Sequence, residues 1–237
     1  MNRVRKTAWL LFLALGLGAG GLAGDKPSAD LKERVKQVGP GMYRVGDVTV
    51  DAKLGVAAFP AKVNQLVGLI EYALVTEIGK VHESFLSTKA RPSDIHAAML
   101  LLGAKSPGAV TIEIGWKVDD KWVRKPMLNF IGQYPLETAS ERNDKVTVKS
   151  FDITSHDWKW TGSRIQNGKT AADLSGSVLS LQPDIDALAM IEPMIDTSRF
   201  GSHVWPKRAP KLGQAVQVFI RLKKPTSTES GADKTPI

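Results

Sequence analysis

Hydrophobic and polar residues alternate with a period of two through much of this chain. Val48 and Val50 are spaced by Thr49 and followed by Asp51. Val110, Ile112, Ile114 and Trp116 share one face of a second stretch, and Val216, Val218, Ile220 and Leu222 share one face of a third. That period marks a half-buried strand. Residues 43–60 read as short strands joined by Gly and Asp turns, and residues 119–121 turn the second stretch back into Trp122 and Val123. Residues 145–153 supply another strand, and Asn167-Gly168 is the strongest short hairpin signal in the chain. Residues 69–77 and 80–86 flank the sequence EIGK, where Gly79 suits the positive φ of a type II turn, so a hairpin is predicted there.

Two segments break the strand pattern. In RPSDIHAAMLLLG, Pro92 suits a first helical turn, Ser93 and Asp94 are good N-terminal residues, and Gly103 is a natural stop. Its run from Ala97 to Leu102 is apolar all round, which predicts a helix buried on most sides. PDIDALAMI, residues 183–191, predicts a short second helix. The expected class is therefore α+β. It is a single antiparallel-strand-rich domain with one main buried helix over about 92–103 and a short one over about 183–191.

The hairpin register selects candidate chemistry. Pairing Glu77 with Lys80 puts Glu71, Val75, Glu77, His82 and Ser84 on one face, and Tyr72, Leu74, Val81, Glu83 and Phe85 on the other. His82 and Glu83 then point in opposite directions. The candidate cluster is Glu71, Glu77, His82, Ser84, Arg91, Asp94 and His96. Within it His82, His96 and Glu71 offer two nitrogens and a carboxylate to a divalent metal. His96, near a helix start, is expected neutral. Ser84, His82 and Asp94 are the nominal members of a hydrolase triad, but no G-x-S-x-G elbow accompanies them. Asp184 and Asp186 lack the glycine and distal glutamate of a calcium hand and read as helix N-terminal residues. Trp158 and Trp160 share a strand face, expected to be core rather than a stacking surface.

Composition and the chain ends bound the function. MNRVRKT is basic, residues 8–17 are apolar, and small residues end at Ala23, which predicts a signal peptide over 1–23 and export by the general secretion route. The apolar run is shorter than the roughly 20 residues of a bilayer span, so no transmembrane segment is expected in the mature chain. GLGAGG within it lacks the strand and helix that a dinucleotide fingerprint requires. Residues 24–40 read as a polar lead-in, 41–223 as the domain, and 224–237 as a disordered tail. The chain has no cysteine, which removes disulfides, thiolate nucleophiles and cysteine-ligated centres. Its formal charge of +8 includes Arg3, Arg5 and Lys6 of the leader. The basic residues are spread out, and no nucleic-acid partner is expected.

The blocks FPAKVNQ, LIEYALVTEIGKVHESFL, RPSDIHAAMLLLGAK, WTGSRI and AADLSGSVLSL together resemble the YdjY-like domain, a family of exported bacterial proteins. The resemblance runs from about Met42 to Arg221. It implies that Glu71, Tyr72, Gly79, Lys80, His82, Glu83, Arg91, Pro92 and His96 belong to recurring blocks, and it assigns them no role. The expectation is a periplasmic or extracellular binding or scaffold module, with a cell-envelope component or a protein as partner. The alternative is a metal-dependent enzyme centred on His82 and His96.

Overall fold

The alternating stretches do form strands. A computed structural model describes residues 34–136, 149–166 and 168–223. The chain begins with β1 (Val35–Gly39), β2 (Met42–Val45), β3 (Val48–Asp51) and β4 (Val56–Val63). Next come β5 (Tyr72–Thr76), β6 (Ser84–Thr88) and the helix α1 (Pro92–Leu101). The middle of the chain gives β7 (Gly108–Val118), β8 (Lys121–Pro126), β9 (Ile131–Pro135), β10 (Phe151–Asp152) and β11 (Asp157–Trp160). A small hairpin follows, β12 (Ile165–Gln166) and β13 (Lys169–Thr170), then α2 (Ala171–Ser175). The last strands are β14 (Ser177–Ser180), β15 (Ala189–Glu192), β16 (Phe200–Val204) and β17 (Ala215–Leu222).

Eight strands close into a barrel in the order β4-β17-β7-β11-β15-β14-β5-β6, with β6 returning to β4. The strands β3, β2 and β1 continue outward from β4, and β8 from β7. A separate sheet orders β10-β9-β16. Closure depends on β4 changing partner along its length. Residues 56–58 pair with β3, whereas Lys62 and Val63 pair with Ser87 and Leu86 of β6. Pro60 stands at the change, and Thr88 Oγ1 donates to its carbonyl at 2.6 Å. Carbonyl and amide of one strand residue face the same edge, so the missing Pro60 N–H falls where no ladder bond is lost.

The interior is filled with side chains, as an eight-stranded barrel allows. Phe59, Val63, Ile112, Ile114, Trp158, Trp160, Ile191 and Val218 all belong to one continuous buried cluster. Phe130, from the 3₁₀ turn Met127–Phe130, packs its ring 6.0 Å from Phe85 and 5.7 Å from Trp116. The predicted faces of β3, β7 and β17 are the observed inward faces, and β12 pairs antiparallel with β13 as the hairpin signal predicts, with Asn167 outside the described residues.

Four expectations are corrected. The class is mainly β, with 48% strand against 13% helix and two short helices, so no main helix organises the fold. The helix over 92–103 forms as α1, with Gly103 at φ +84° just past its end, but Leu100 and Leu101 are about half exposed. It lies against β2, β3 and β4 and is not enclosed. No helix spans 183–191. Asp184 Oδ1 accepts from Asp186 N at 2.9 Å, a turn that uses the same residue types as a helix start, and β15 begins at Ala189. Finally, β5 and β6 are parallel, with Tyr72 opposite Ser84 and Leu74 opposite Leu86. Both strands are buried on both faces, the usual setting of parallel pairs.

The lead-in is also partly structured, since β1 lies within it. The signal-peptide reading over 1–23 and the tail over 224–237 lie outside the described residues, as does the start of the 145–153 strand. Among the described residues no helix is long and apolar enough to cross a membrane.

Candidate functional site

The parallel return of β5 to β6 sets the geometry of the first candidates. Residues 77–83 run back beside β5 and end in the 3₁₀ turn Val81–Glu83. This brings Glu71 and Glu83 side by side, with Glu71 N donating to Glu83 O at 2.8 Å. Lys80 sits between their carboxylates, Nζ lying 3.0 Å from Glu71 Oε2 and 3.4 Å from Glu83 Oε2. Gln182 Nε2 also donates to Glu71, and Tyr72 donates its hydroxyl to Asp184 at 3.1 Å. Burial would raise the Glu71 carboxyl, but its hydrogen bonds with Lys80 and others hold it below the usual range. The same contact with Glu71 pushes the Lys80 ammonium up. Burial, with the Asp184 charge, raises the Tyr72 phenol. Lys80 and Glu71 are too exposed for this pairing to contribute more than about 1 kcal/mol.

His82 stands at the rim of this cluster, 75% exposed, with Nε2 at 3.5 Å from Glu83 Oε1. The expected divergence of His82 and Glu83 is therefore overturned, because His82 belongs to a 3₁₀ turn and not to a strand. Ser84 is fully buried and its hydroxyl donates to Leu86 O at 2.7 Å. Glu77 is exposed, 4.0 Å from Lys62.

The remaining candidates gather around α1. Arg91 reaches Asp173 of α2 at 3.6 Å, and Ser93 N donates to the same carboxylate at 2.8 Å. Asp94 is buried and paired with Arg34, which ties the chain ahead of β1 to the helix. Burial lifts the Asp94 carboxyl above its ordinary range, and the charges of Arg34 and Arg91 act against that rise. Gly46, at φ +55°, tucks beneath the Asp94 carboxylate, where a Cβ would collide with Oδ2.

His96 packs near Trp160, with ring centroids 6.1 Å apart, and its Nε2 lies over Gly162. The structure thus joins Glu71 and His82 through Lys80 and Glu83, and gives His96 a different set of neighbours. Among the described residues no group of three His, Cys, Asp or Glu side chains is gathered to hold a metal ion.

Desolvation lowers the His96 pKa below its ordinary value of 6.5. The unfolded chain therefore takes up the proton first on acidification. The stability this histidine contributes is present above about pH 6.5 and is lost as pH falls toward the folded value. Thermal melts from pH 7.5 to 5 should show His96→Gln flattening the acid-side decline. An unchanged slope would place the titrating group elsewhere.

Trp158 and Trp160 are core residues, as expected. Trp205 is packed as well: it covers Gly132, meets His203 at 4.6 Å, and carries the Arg208 guanidinium 4.6 Å above its ring. Trp122 differs. It projects from β8 with 61% of its surface open to solvent. Its setting in the word DDKWV gave no sign of this, because its face depends on the pairing of β8 with β7. No family model, curated protein or solved structure matches the chain.

Proposed function

We propose that this protein is an exported binding or scaffold module of the cell envelope, working through its outer surface. The observation that carries the reading is the engagement of its polar candidates in structural pairs around a filled barrel. Lys80 occupies Glu71 and Glu83, Arg34 occupies Asp94, Asp173 occupies Arg91, and Leu86 O takes the Ser84 hydroxyl. The barrel interior holds Phe59, Ile114, Trp160 and Val218 where a barrel of larger bore would hold a ligand. Recognition then falls to exposed faces. Export rests on the basic, apolar and small-residue order of the leader. Kinship with the YdjY-like domain is part of the same proposal.

The competing reading is a metal-dependent enzyme at His82 and His96. Native mass spectrometry of the untagged protein beside His82→Ala and His96→Ala separates the two. The binding-module reading expects no metal whose retention depends on both histidines. One stoichiometric metal, lost in each variant, would replace it with the enzyme.

A further inference from the structure

The outer face of β8, β7, β17 and β4 sets an exposed tryptophan, Trp122, among basic side chains. Its rows follow from the register. Lys117 lies opposite Trp122, Gly115 opposite both Arg124 and Gln217, and Glu113 opposite Phe219. Lys62 projects from the outward row of β4, and Arg221 from that of β17. A Cβ on Gly115 would lie 3.0 Å from Phe219 and 3.6 Å from Trp122, so the glycine leaves a notch between two aromatic rings.

Two of these groups are already engaged. The Arg124 guanidinium lies 3.8 Å from the Phe219 ring centroid and pairs with Glu113. Arg221 Nε lies 3.8 Å from the same carboxylate. Glu113 is thus held between two guanidiniums, and Phe219 is capped. What the face offers a ligand is the open ring of Trp122, the Gln217 amide and a surplus of cations. Lys117, Arg124, Arg221 and, in the adjoining depression, Lys211 stand there against Glu113 and Asp119, while Lys62 at the edge lies 4.0 Å from Glu77. Gln214 Nε2 donates to Lys117 O at 3.3 Å, and beside it an open depression of about 510 Å³ continues the face toward Lys211 and Leu212.

We infer that this face binds an acidic polysaccharide, a chain whose sugar rings carry carboxylates. A sugar ring presents an apolar face that stacks on Trp122, while its carboxylate meets Lys117 or a guanidinium. The amide and the charged rim serve the hydroxyls. Charge complementarity selects an anionic polymer over a neutral one. A nucleic acid needs successive open rings for successive bases, and here the second ring is covered. The inference rests on the binding-module reading and names its ligand class.

Affinity electrophoresis of the full chain through gels containing alginate, neutral dextran or neither tests it, with a single-stranded oligonucleotide as competitor. The expected result is retardation by alginate and not by dextran, weakened by salt and surviving the oligonucleotide. Trp122→Ala should weaken alginate binding about tenfold or more, and Lys117→Glu should do likewise, both with unchanged melting temperature. Absence of retardation overturns the inference, as does displacement by the oligonucleotide at lower concentration. Retardation equal in wild type and Trp122→Ala also overturns this face as the site while leaving a binding module standing. Failure of that broader reading shows separately, as histidine-dependent metal in the mass spectra.

Discussion

Replacing Trp160 with alanine should cost about 3–5 kcal/mol of folding stability, the range for truncating a large buried aromatic. Trp160 is 1% exposed and lies in the continuous core. Its cross-strand neighbours are Gly108 on β7 and Ala189 on β15, the smallest residues available. The indole fills the room that those two leave, so neither can relax into the cavity. Trp160→Phe is the informative partner. Its indole Nε1 is buried without a hydrogen-bond acceptor, so phenylalanine removes an unsatisfied donor along with part of the ring. That variant should lose less than about 1.5 kcal/mol. Urea denaturation of the three proteins gives both numbers. A Trp160→Ala loss below about 1 kcal/mol would mean that the ring is not the filler this packing requires.

The small partners of Trp160 illustrate what a sequence of this kind does and does not disclose. Alternation identified the inward faces of β3, β7 and β17, because each strand has one apolar and one polar face. The β7–β8 turn was legible from its chemistry: Asp119 and Asp120 both take positive φ, 47° and 60°, which aspartate tolerates. Helix α1 announced itself by Pro92 and Gly103.

Other elements were hidden by physics that local pattern cannot carry. β5 and β6 are apolar on both faces, so periodicity gave no direction for their pairing. EIGK resembled a hairpin turn, yet Gly79 is small for a different reason, its approach to Gly176. Closure of the barrel is a long-range event, the exchange of β3 for β6 along β4 at Pro60.

The site suffered from the same limit. The predicted cluster assumed that residues 80–86 form one strand, whereas β6 begins only at Ser84. His82 therefore left the predicted face for the rim and joined Glu83, while Glu71 was captured by Lys80. His96 was expected neutral because of its place near a helix start, whereas the cause that lowers its pKa is burial, beside Trp160. The outer-face residues Gly115, Gln217 and Phe219 were individually identifiable as outward from the alternation. Their assembly with Trp122 required the strand order β8-β7-β17-β4, which no residue spacing encodes.

Gly176→Ala should be strongly destabilising, at about 2–5 kcal/mol. Gly176 ends α2 at φ +76°, and its carbonyl accepts from Thr76 N at 2.8 Å. A Cβ there would stand 2.6 Å from both N and Cα of Gly79 and 2.7 Å from Thr76 Oγ1. The obstruction is backbone, so no rotamer change relieves it. The turn after β5 would have to move, and the Thr76 bond would lengthen with it. Gly213 provides the control, because it has the same φ of +76° and nothing within 4 Å of its built Cβ. Gly213→Ala then measures the left-handed backbone alone, about 1–2 kcal/mol. The excess in Gly176→Ala measures the close approach that holds the β5–β6 return against α2. Since that return carries Lys80 and His82, amide exchange in residues 77–83 should quicken in the Gly176 variant and not in the Gly213 one. Equal losses in the two variants, with equal exchange, would show that the two glycines do not press together and that the parallel return is held by its strand pairing.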